Sequence, residues 1–245
     1  MEGGKLPPRR RVAWDKTYRI VPSRYPPIDL FERVGDPSDW ETLAAIESLT
    51  NDRLRDQVGA ISMVPPAERI SGPGASPIMA AFTHTGHPSR FTDGAYGVYY
   101  ASDRLEASLR EVAYHQGRFL ARTNERRTRL EMRAYIGTAD GTFHDVRGGW
   151  PAVHDPDHYT AGQQLGRAVR AAGGDGIVYD AVRMKGAQAL AVFRPRAVAS
   201  PVPGRAHVIQ GPHFFLGWDG TRIDRYLQVG NVTWHNLEKD PKRVL

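Results

Sequence analysis

Residues 89–115 read SRFTDGAYGVYYASDRLEASLREVAYH, and this stretch organises the interpretation of the whole chain. Its aromatic-rich apolar run at 96–101 predicts a strand. From Asp103 onward, apolar residues recur every three or four positions, which predicts a helix over 103–121. Ser102 or Asp103 is the expected N-cap of that helix. A glycine-bounded loop therefore leads into a strand, and the strand leads directly into a helix.

Outside this stretch, the patterns predict further short strands and two more helices. Strands are predicted at Thr17–Val21, 128–137, Gly176–Tyr179 and Ala189–Phe193, with a hairpin within 206–228 around Gly211-Pro212 and Asp219-Gly220. Helices are predicted over 37–57 and 158–172, the latter capped by Asp157 and closed by Gly173-Gly174. Residues 60–95 and 139–157 are predicted loops. Strands and helices do not alternate regularly, so we expect a single α+β domain and not a doubly wound sheet.

Composition narrows the possible chemistry. The 245 residues include no cysteine, which excludes disulfides, cysteine-ligated zinc and a cysteine nucleophile. There is no apolar run of the ~18 residues that a membrane span needs, and the N-terminus lacks the apolar region of a secretory signal, so the expected location is the cytoplasm. The net charge of +6 would suit an anionic partner. Much of this excess lies near the chain ends, where charged runs are usually solvated.

The pair Tyr100 and Glu111 carries the most specific chemical signal. Tyr100 ends the predicted strand, and Glu111 follows eleven positions later on the predicted helix. Arg90 precedes both in the loop, where its planar guanidinium could bind phosphate oxygens. An arginine for the pyrophosphate, an aromatic ring for the base and a carboxylate for the ribose could together hold a nicotinamide dinucleotide. This order of residues indicates an enzyme that breaks NAD. The alternatives are that Glu111 belongs to an exposed ion-pair row with neighbouring basic residues of the helix, and that Arg90 is solvated.

Arg19 and Thr160 are further candidates. Arg19 lies inside a strand-like apolar segment, so its head group needs a carboxylate, a ligand phosphate or the surface. Thr160 falls in the first turn of the 158–172 helix, where unpaired backbone N–H groups can receive a phosphate, and Gln163 lies one turn later. Thr160 could equally do no more than support the cap of the helix.

Other classes of site are less well supported. His154 and His158 lie in a cluster with two aspartates, but no third ligand follows at the spacing of a metal site, so we expect no metal. A metal hydrolase that uses these histidines remains an alternative. No P-loop and no GxGxxG motif follows a strand, so dehydrogenase and NTPase chemistry are unsupported. A basic nucleic-acid-binding module without turnover is another alternative.

Read together, these segments resemble the RES domain, the toxin half of bacterial RES–Xre toxin–antitoxin pairs. The resemblance runs from about residue 17 to 225 and is most specific in Ser89–His115 and in GGDGIVYDAVRMKGAQALAVFRP, from Gly173 to Pro195. It implies a basic arm over 1–16, a RES domain over 17–228 and a tail over 229–245. It also implies a fold similar to ADP-ribosyltransferase toxins, with small mixed sheets flanked by helices.

The resemblance also implies roles for individual residues. The family's aromatic-Arg step on the first strand matches Tyr18-Arg19, and its Arg-Trp step matches Arg90-Phe91, with phenylalanine in place of tryptophan. Its tyrosine and the glutamate eleven residues later match Tyr100 and Glu111. On this basis Glu111, Tyr100 and Arg19 are expected to be catalytic, and the expected NAD+-binding residues are Arg19, Arg90, Tyr100, Thr160 and Gln163.

Two positions depart from the family pattern. A family serine that precedes a glutamine by three positions is matched by Thr160, before Gln163, and the serine of a Tyr-x-Ser-Val-Arg segment is replaced by Ala181. The implied activity is cleavage of the nicotinamide–ribose bond of NAD+, with ADP-ribose passed to a protein, water or phosphate. The implied partner is an Xre-type antitoxin that covers the active site, with nucleic acid contacted only through that antitoxin.

Overall fold

The computed structural model describes residues 6–23, 59–230 and 235–237, which form an eight-stranded sheet and three α-helices. The strands are β1 (Arg9–Pro22), β2 (Tyr99–Ser102), β3 (Thr128–Asp145), β4 (Gly176–Asp180), β5 (Gln188–Val192), β6 (Val208–Trp218), β7 (Ile223–Gln228) and β8 (His235–Asn236). The helices are α1 (Ala75–Thr83), α2 (Leu105–Leu120) and α3 (Thr160–Ala171). The predicted α+β class is confirmed. The helix predicted over 37–57 and most of the predicted tail lie outside the described residues.

The strands form one continuous sheet, where several small ones were expected. Their order is β1-β2-β5-β4-β3-β6-β7-β8, and β1 also pairs with β3. The first five strands in this order therefore close into a ring. The ring forms because β3 is 18 residues long, which lets it pair with β1, β4 and β6 along different parts of its length. The β3–β4 pair is parallel, so the sheet is mixed, as predicted.

Strand β1 begins at Arg9, eight residues before the predicted start, so residues 9–16 are not a free arm. They pair with the second half of β3, from Arg9 opposite His144 to Trp14 opposite Ala139. Val12 is buried, while Arg11 points outward and makes a two-pronged hydrogen bond with Asp140 at 3.1 and 3.0 Å. The edge that pairs with this strand is supplied by residues far away in sequence, for example Asp140 at 129 positions from Arg11. The local Pro/Arg-rich sequence therefore did not reveal the strand. The wider division into arm, domain and tail stays a prediction.

The Gly/Pro-rich segment 60–95 is not a loop throughout. It contains two short 3₁₀ turns, at Ile61–Met63 and Pro66–Glu68, and helix α1. Ile78 and Met79 of α1 are completely buried in a core cluster that also holds Val12 of β1 and Tyr135 of β3. Tertiary packing thus stabilises a nine-residue helix that is too short to be stable alone in water. The second predicted loop, 139–157, is likewise partly strand, because β3 continues to Asp145.

Helices α2 and α3 lie within two residues of their predicted bounds, but their predicted caps are wrong. The N-caps are Arg104 and Tyr159, and neither makes a side-chain cap hydrogen bond. Asp103 instead accepts a hydrogen bond from the backbone N–H of Gln188 on β5, so tertiary contacts use its carboxylate. The closing glycine is confirmed, since Gly173 follows α3 with a φ of 73° and its N–H donates to Arg170 O at 3.0 Å.

The C-terminal hairpin joins β6 to β7 around Asp219-Gly220, as predicted. The Asp219 carboxylate accepts hydrogen bonds from the backbone N–H groups of Thr221 and Arg222, which lowers its pKa to about 2. Gly211-Pro212 lies inside β6, at the point where the pairing of β6 with β3 shifts register, so the strand structure predicted around it is confirmed.

Candidate active site

A cleft of about 350 Å³ opens between β1, β2, α2 and the loop before β2, within the size range of small-molecule sites. Its polar lining includes Arg19, Ser89, Arg90, Tyr100, Glu111 and Tyr179. Four of the six predicted site residues therefore meet at one place, although up to 92 sequence positions separate them. The strand-to-helix order of residues 99–111 sets Tyr100 and Glu111 on adjoining walls.

Arg90 is a buried cation that is only partly paired. The residue is 5% exposed, and its Nη1 donates to the backbone carbonyls of Val153 and Asp155 at 3.0 and 2.7 Å. Its guanidinium also lies 4.7 Å from the ring centroid of Tyr159. Its Nη2 is buried and has no hydrogen-bond partner among the described residues. The interpretation of Arg90 as a solvated loop arginine is therefore wrong, and one donor remains for an anionic ligand.

The loop that carries Arg90 is fastened to the sheet through the backbone of Phe91. The hydroxyl of Tyr100 accepts a hydrogen bond from Phe91 N at 3.1 Å and bonds to Ser89 Oγ at 2.7 Å. The hydroxyl of Tyr96 donates to Phe91 O at 2.7 Å. Burial raises the pKa of Tyr100 to about 12, so it stays a neutral phenol. In the structure, the Tyr100 hydroxyl thus holds the loop while its ring lines the cleft.

Helix α3 holds the same loop from the other side. A Cβ on Gly162 would lie 2.3 Å from Arg90 O, and one on Gly166 would lie 2.1 Å from Phe91 O. Both positions therefore need glycine to let the helix approach the backbone this closely. The Gly162/Gly166 spacing of one helical turn was visible in the sequence, but its meaning depends on what packs against the helix.

Arg19 reaches the cleft from β1. Its Nη1 donates to Tyr100 O at 3.2 Å, and its guanidinium lies 4.8 Å from the ring centroid of Tyr99. Its Nε is buried without a hydrogen-bond partner in the described part of the chain. Burial lowers the pKa of Arg19 from its ordinary value, although arginine stays protonated. Arg19 and Arg90 therefore give the cleft two cations that both keep an unused donor.

Glu111 is the acidic group of the cleft. Its side chain is 19% exposed, and its Oε2 lies 4.0 Å from His115 Nε2. Its Oε1 is buried, with no hydrogen-bond partner in the residues that the structure describes. Burial raises the pKa of Glu111, while the charges of Arg90 and Arg183 and the backbone N–H groups of Arg183 and Val182 act in the opposite direction.

The structure does not place Glu111 in an exposed ion-pair row, since its side chain is 19% exposed and only His115 approaches it from the same helix among the described residues, at 4.0 Å. Arg118, a basic residue of that helix, lies 3.9 Å from Asp157 and donates to the Tyr114 hydroxyl. No ion pair between Glu111 and an arginine of α2 occurs among the described residues. The carboxylate instead faces the cleft together with the two partly paired arginines.

Thr160 and Gln163 are not among the residues that line the cleft. Thr160 is the first residue of α3 and is exposed. Gln163 donates through Nε2 to Ser89 O at 3.1 Å, so it contacts the loop beside Arg90. Ala181, at the other position that departs from the family pattern, is buried and donates its backbone N–H to Ala187 O. The predicted ligand contacts of Thr160 and Gln163 stay predictions.

Tyr179 and His115 are among the cleft residues that the predicted set lacks. Tyr179 lies in β4, packs edge-on against Phe91 with ring centroids 5.0 Å apart and has a pKa raised well above its ordinary value by burial. His115 lies one turn after Glu111. Partial burial and the nearby charges of Arg183, Arg90 and Arg118 lower its pKa to about 4. The i,i+4 spacing to Glu111 was the available signal for His115.

The histidine cluster does not assemble a metal site. No group of three or more potential His, Cys, Asp or Glu ligands occurs in residues 6–23, 59–230 and 235–237. Both ring nitrogens of His154 are engaged, Nδ1 with Trp150 O and Nε2 with the backbone N–H of Asp180. Nothing in this geometry favours the metal-hydrolase alternative.

Comparison with known proteins agrees with the sequence resemblance. The RES domain model matches residues 66–219. The chain belongs to the RES domain family. The "Uncharacterized protein y4oC" of Sinorhizobium fredii (strain NBRC 101917 / NGR234) is 29% identical over 212 residues, which cover 85% of each chain.

Among solved structures, the chain is similar to one from the Mycobacterium tuberculosis MbcT–MbcA toxin–antitoxin complex. The TM-score is 0.40 and the identity 10%, over 86% of this chain and 87% of that chain. None of the helices in the described residues is long and apolar enough to cross a membrane.

Proposed function

We propose that this RES domain protein is the toxin of a toxin–antitoxin pair and cleaves the nicotinamide–ribose bond of NAD+. The observation that carries the proposal is the cleft itself, where Glu111 Oε1, Arg19 Nε and Arg90 Nη2 are buried without partners in the described residues. Buried polar atoms are rarely left unpaired in native proteins. A ligand with hydroxyl groups and an anionic linkage would pair all three, and NAD+ has both.

The chemistry of the bond fits this set of groups. Nicotinamide leaves NAD+ as a neutral molecule, so its departure requires no general acid. Positive charge develops on the ribose in an oxocarbenium-like transition state, as in glycoside hydrolysis. A carboxylate stabilises that charge best where water is partly excluded. We assign this role to Glu111, whose raised pKa reflects such an environment.

The other residues would bind and orient the dinucleotide. Arg19 and Arg90 would hold the pyrophosphate, because each guanidinium keeps a donor that no described residue uses. The ring of Tyr100 would pack against the nicotinamide or ribose, while its hydroxyl holds the Arg90 loop. Thr160 and Gln163 would contribute from the start of α3. The ADP-ribose would pass to a protein, water or phosphate, and the reaction would arrest growth.

The proposed partner is an Xre-type antitoxin that covers this cleft. Family membership supports it. On this proposal, the protein contacts nucleic acid only through that antitoxin and acts in the cytoplasm.

The direct test is to incubate the purified protein with NAD+ and to measure free nicotinamide by liquid chromatography. We expect Glu111→Gln to lower kcat by at least ~10²-fold, the size of effect seen when one electrostatic stabiliser is removed. NAD+ binding, measured by calorimetry, should survive.

Glu106→Gln is the matched control. Glu106 lies in the first turn of the same helix and pairs with Arg110 at 2.7 Å, outside the residues that line the cleft. It should leave kcat near the wild-type value. Equal activity of Glu111→Gln and wild type would refute the assignment. An absence of turnover together with strongly salt-dependent binding of DNA or RNA would favour the nucleic-acid-binding alternative.

A further inference from the structure

A second cavity adjoins the cleft on the outer side of His115. Its volume is about 260 Å³, and it is lined by Pro88, His115, Arg118, Phe119, Arg122, Asp157 and Tyr159. Pro88 and His115 line both this cavity and the cleft. We call it the outer cavity. Phe119 at its edge is 63% exposed, so the outer cavity is open to molecules that approach from solvent.

His115 lies at the boundary between the two spaces and next to Glu111. Its Nε2 is 4.0 Å from Glu111 Oε2, which is too long for a direct hydrogen bond. A single oxygen atom that bonds to both groups spans such a distance. The His115 side chain is 48% exposed, so the imidazole is open to a molecule in the outer cavity. An oxygen placed there would sit beside the carboxylate that we assign to the ribose.

We propose that the outer cavity is the acceptor subsite of the reaction, that its acceptor carries a hydroxyl group, and that His115 is the base that takes the hydroxyl proton. This inference rests on the proposed function. The C1′–N bond to nicotinamide breaks and its electron pair leaves with nicotinamide. As that bond breaks, the acceptor oxygen forms the bond to C1′, and its proton passes to the imidazole of His115 and on to solvent.

Two features of the outer cavity select hydroxyl acceptors. The pKa of His115 is lowered to about 4 by partial burial and by Arg183, Arg90 and Arg118, so the imidazole is neutral at physiological pH and can accept a proton. The oxyanion of a carboxylate or phosphate acceptor attacks without losing a proton, so such an acceptor would not need His115 as a base. A lysine or arginine acceptor would bring a cation towards Arg118 and Arg122, which disfavours it.

The charged side chains that line the outer cavity are consistent with a neutral acceptor. Arg118 donates to the Tyr114 hydroxyl at 3.1 Å and lies 3.9 Å from Asp157, so a carboxylate offsets part of its charge. The Tyr114 hydroxyl also bonds to the Asp157 carboxylate. These contacts hold Arg118, Tyr114 and Asp157 to one another. His115 is then the titratable side chain that lines both the outer cavity and the cleft. Water, a small alcohol and the hydroxyl of a protein side chain share the chemistry that this site would accept.

The test compares wild type and His115→Gln with NAD+ and four added nucleophiles. Methanol and N-acetylserinamide supply hydroxyl groups, azide supplies an anion that needs no base, and inorganic phosphate supplies an oxyanion. Mass spectrometry separates the products formed with water, alcohol, serine hydroxyl, azide and phosphate. Nicotinamide release is measured in parallel. His213→Gln is the matched control, because His213 lies on β6 and lines neither cavity.

We expect His115→Gln to lower transfer to water, methanol and the serine analogue by about 10²-fold, the lower range for a general base. Azide should restore nicotinamide release and give ADP-ribosyl azide, since an anion needs no proton acceptor. That rescue also shows that the variant is folded and that Glu111 still functions.

Three results would overturn the inference. These are hydroxyl transfer by His115→Gln within about threefold of wild type, a loss that azide does not restore, and wild-type transfer to phosphate with none to water or either hydroxyl compound. Failure of the proposed function looks different, because wild type would then release no nicotinamide with any acceptor.

Discussion

The close approach of α3 to the Arg90 loop makes Gly166→Ala a sharp test of how the site is held. The added Cβ would lie 2.1 Å from Phe91 O and 2.9 Å from Phe91 C. Ordinary contacts between a carbon and a carbonyl oxygen begin at about 3.3 Å, so the loop or the helix must move by about 1 Å. Both contacted atoms belong to the backbone, which cannot swing away as a long side chain can.

This displacement has two measurable consequences. Inserting a methyl group into a packed site costs about 1–3 kcal/mol, and for a domain of this size each kcal/mol lowers Tm by about 2–4 °C. The same displacement moves Arg90, which precedes Phe91, and a misplacement of about 1 Å at a binding group costs about 10²-fold in rate. Differential scanning calorimetry and the nicotinamide-release assay measure the two effects. The activity loss should appear mainly in KM for NAD+, because Arg90 is assigned to binding.

Gly117→Ala supplies the matched control, and its expected effect on stability has the opposite sign. Gly117 lies inside α2, and a Cβ there would meet Ile223 N at 3.8 Å, an ordinary contact. Alanine is favoured over glycine in a helix by about 1 kcal/mol, so this variant should be slightly more stable and equally active. If Gly166→Ala behaves like Gly117→Ala in stability and KM, the loop is not held by this contact and the reasoning fails.

Three further predictions concern the cleft. Tyr100→Phe removes the hydroxyl that accepts from Phe91 N and bonds to Ser89. Because the buried N–H of Phe91 is then left unpaired, the variant should lose about 1–3 kcal/mol of unfolding free energy, and its KM for NAD+ should rise. A wild-type Tm in calorimetry would contradict this. Burial raises the pKa of Glu111, so kcat should fall with decreasing pH at values above the ordinary glutamate pKa of about 4.3. A raised pKa also means that the folded state disfavours the charged form. Glu111→Gln should therefore raise Tm at pH 7, and this gain should vanish below about pH 4. A lower Tm at pH 7 would contradict the raised pKa of Glu111.

The sequence alone determined the features that depend on neighbours along the chain. The 3.6-residue period gave the positions of α2 and α3, and aromatic or apolar runs gave β2, β4 and β5. Glycine marked the end of α3 because Gly173 takes a positive φ there. The strand-to-helix order also predicted that Tyr100 and Glu111 belong to one site. These signals are local, so they survive without knowledge of packing.

Tertiary structure decided everything that depends on a distant partner. Residues 9–16 are a strand because β3 offers them an edge, and α1 is a helix because the sheet buries it. Asp103 and Asp157 are of a residue type preferred at helix N-caps. Their carboxylates instead accept hydrogen bonds from Gln188 and Tyr114. The burial of Glu111 Oε1 without a partner among the described residues, the role of Gly166 and the outer cavity beside His115 follow from elements far apart in sequence. Periodicity carries no information on such contacts, because it records which face of an element is apolar and not what that face meets.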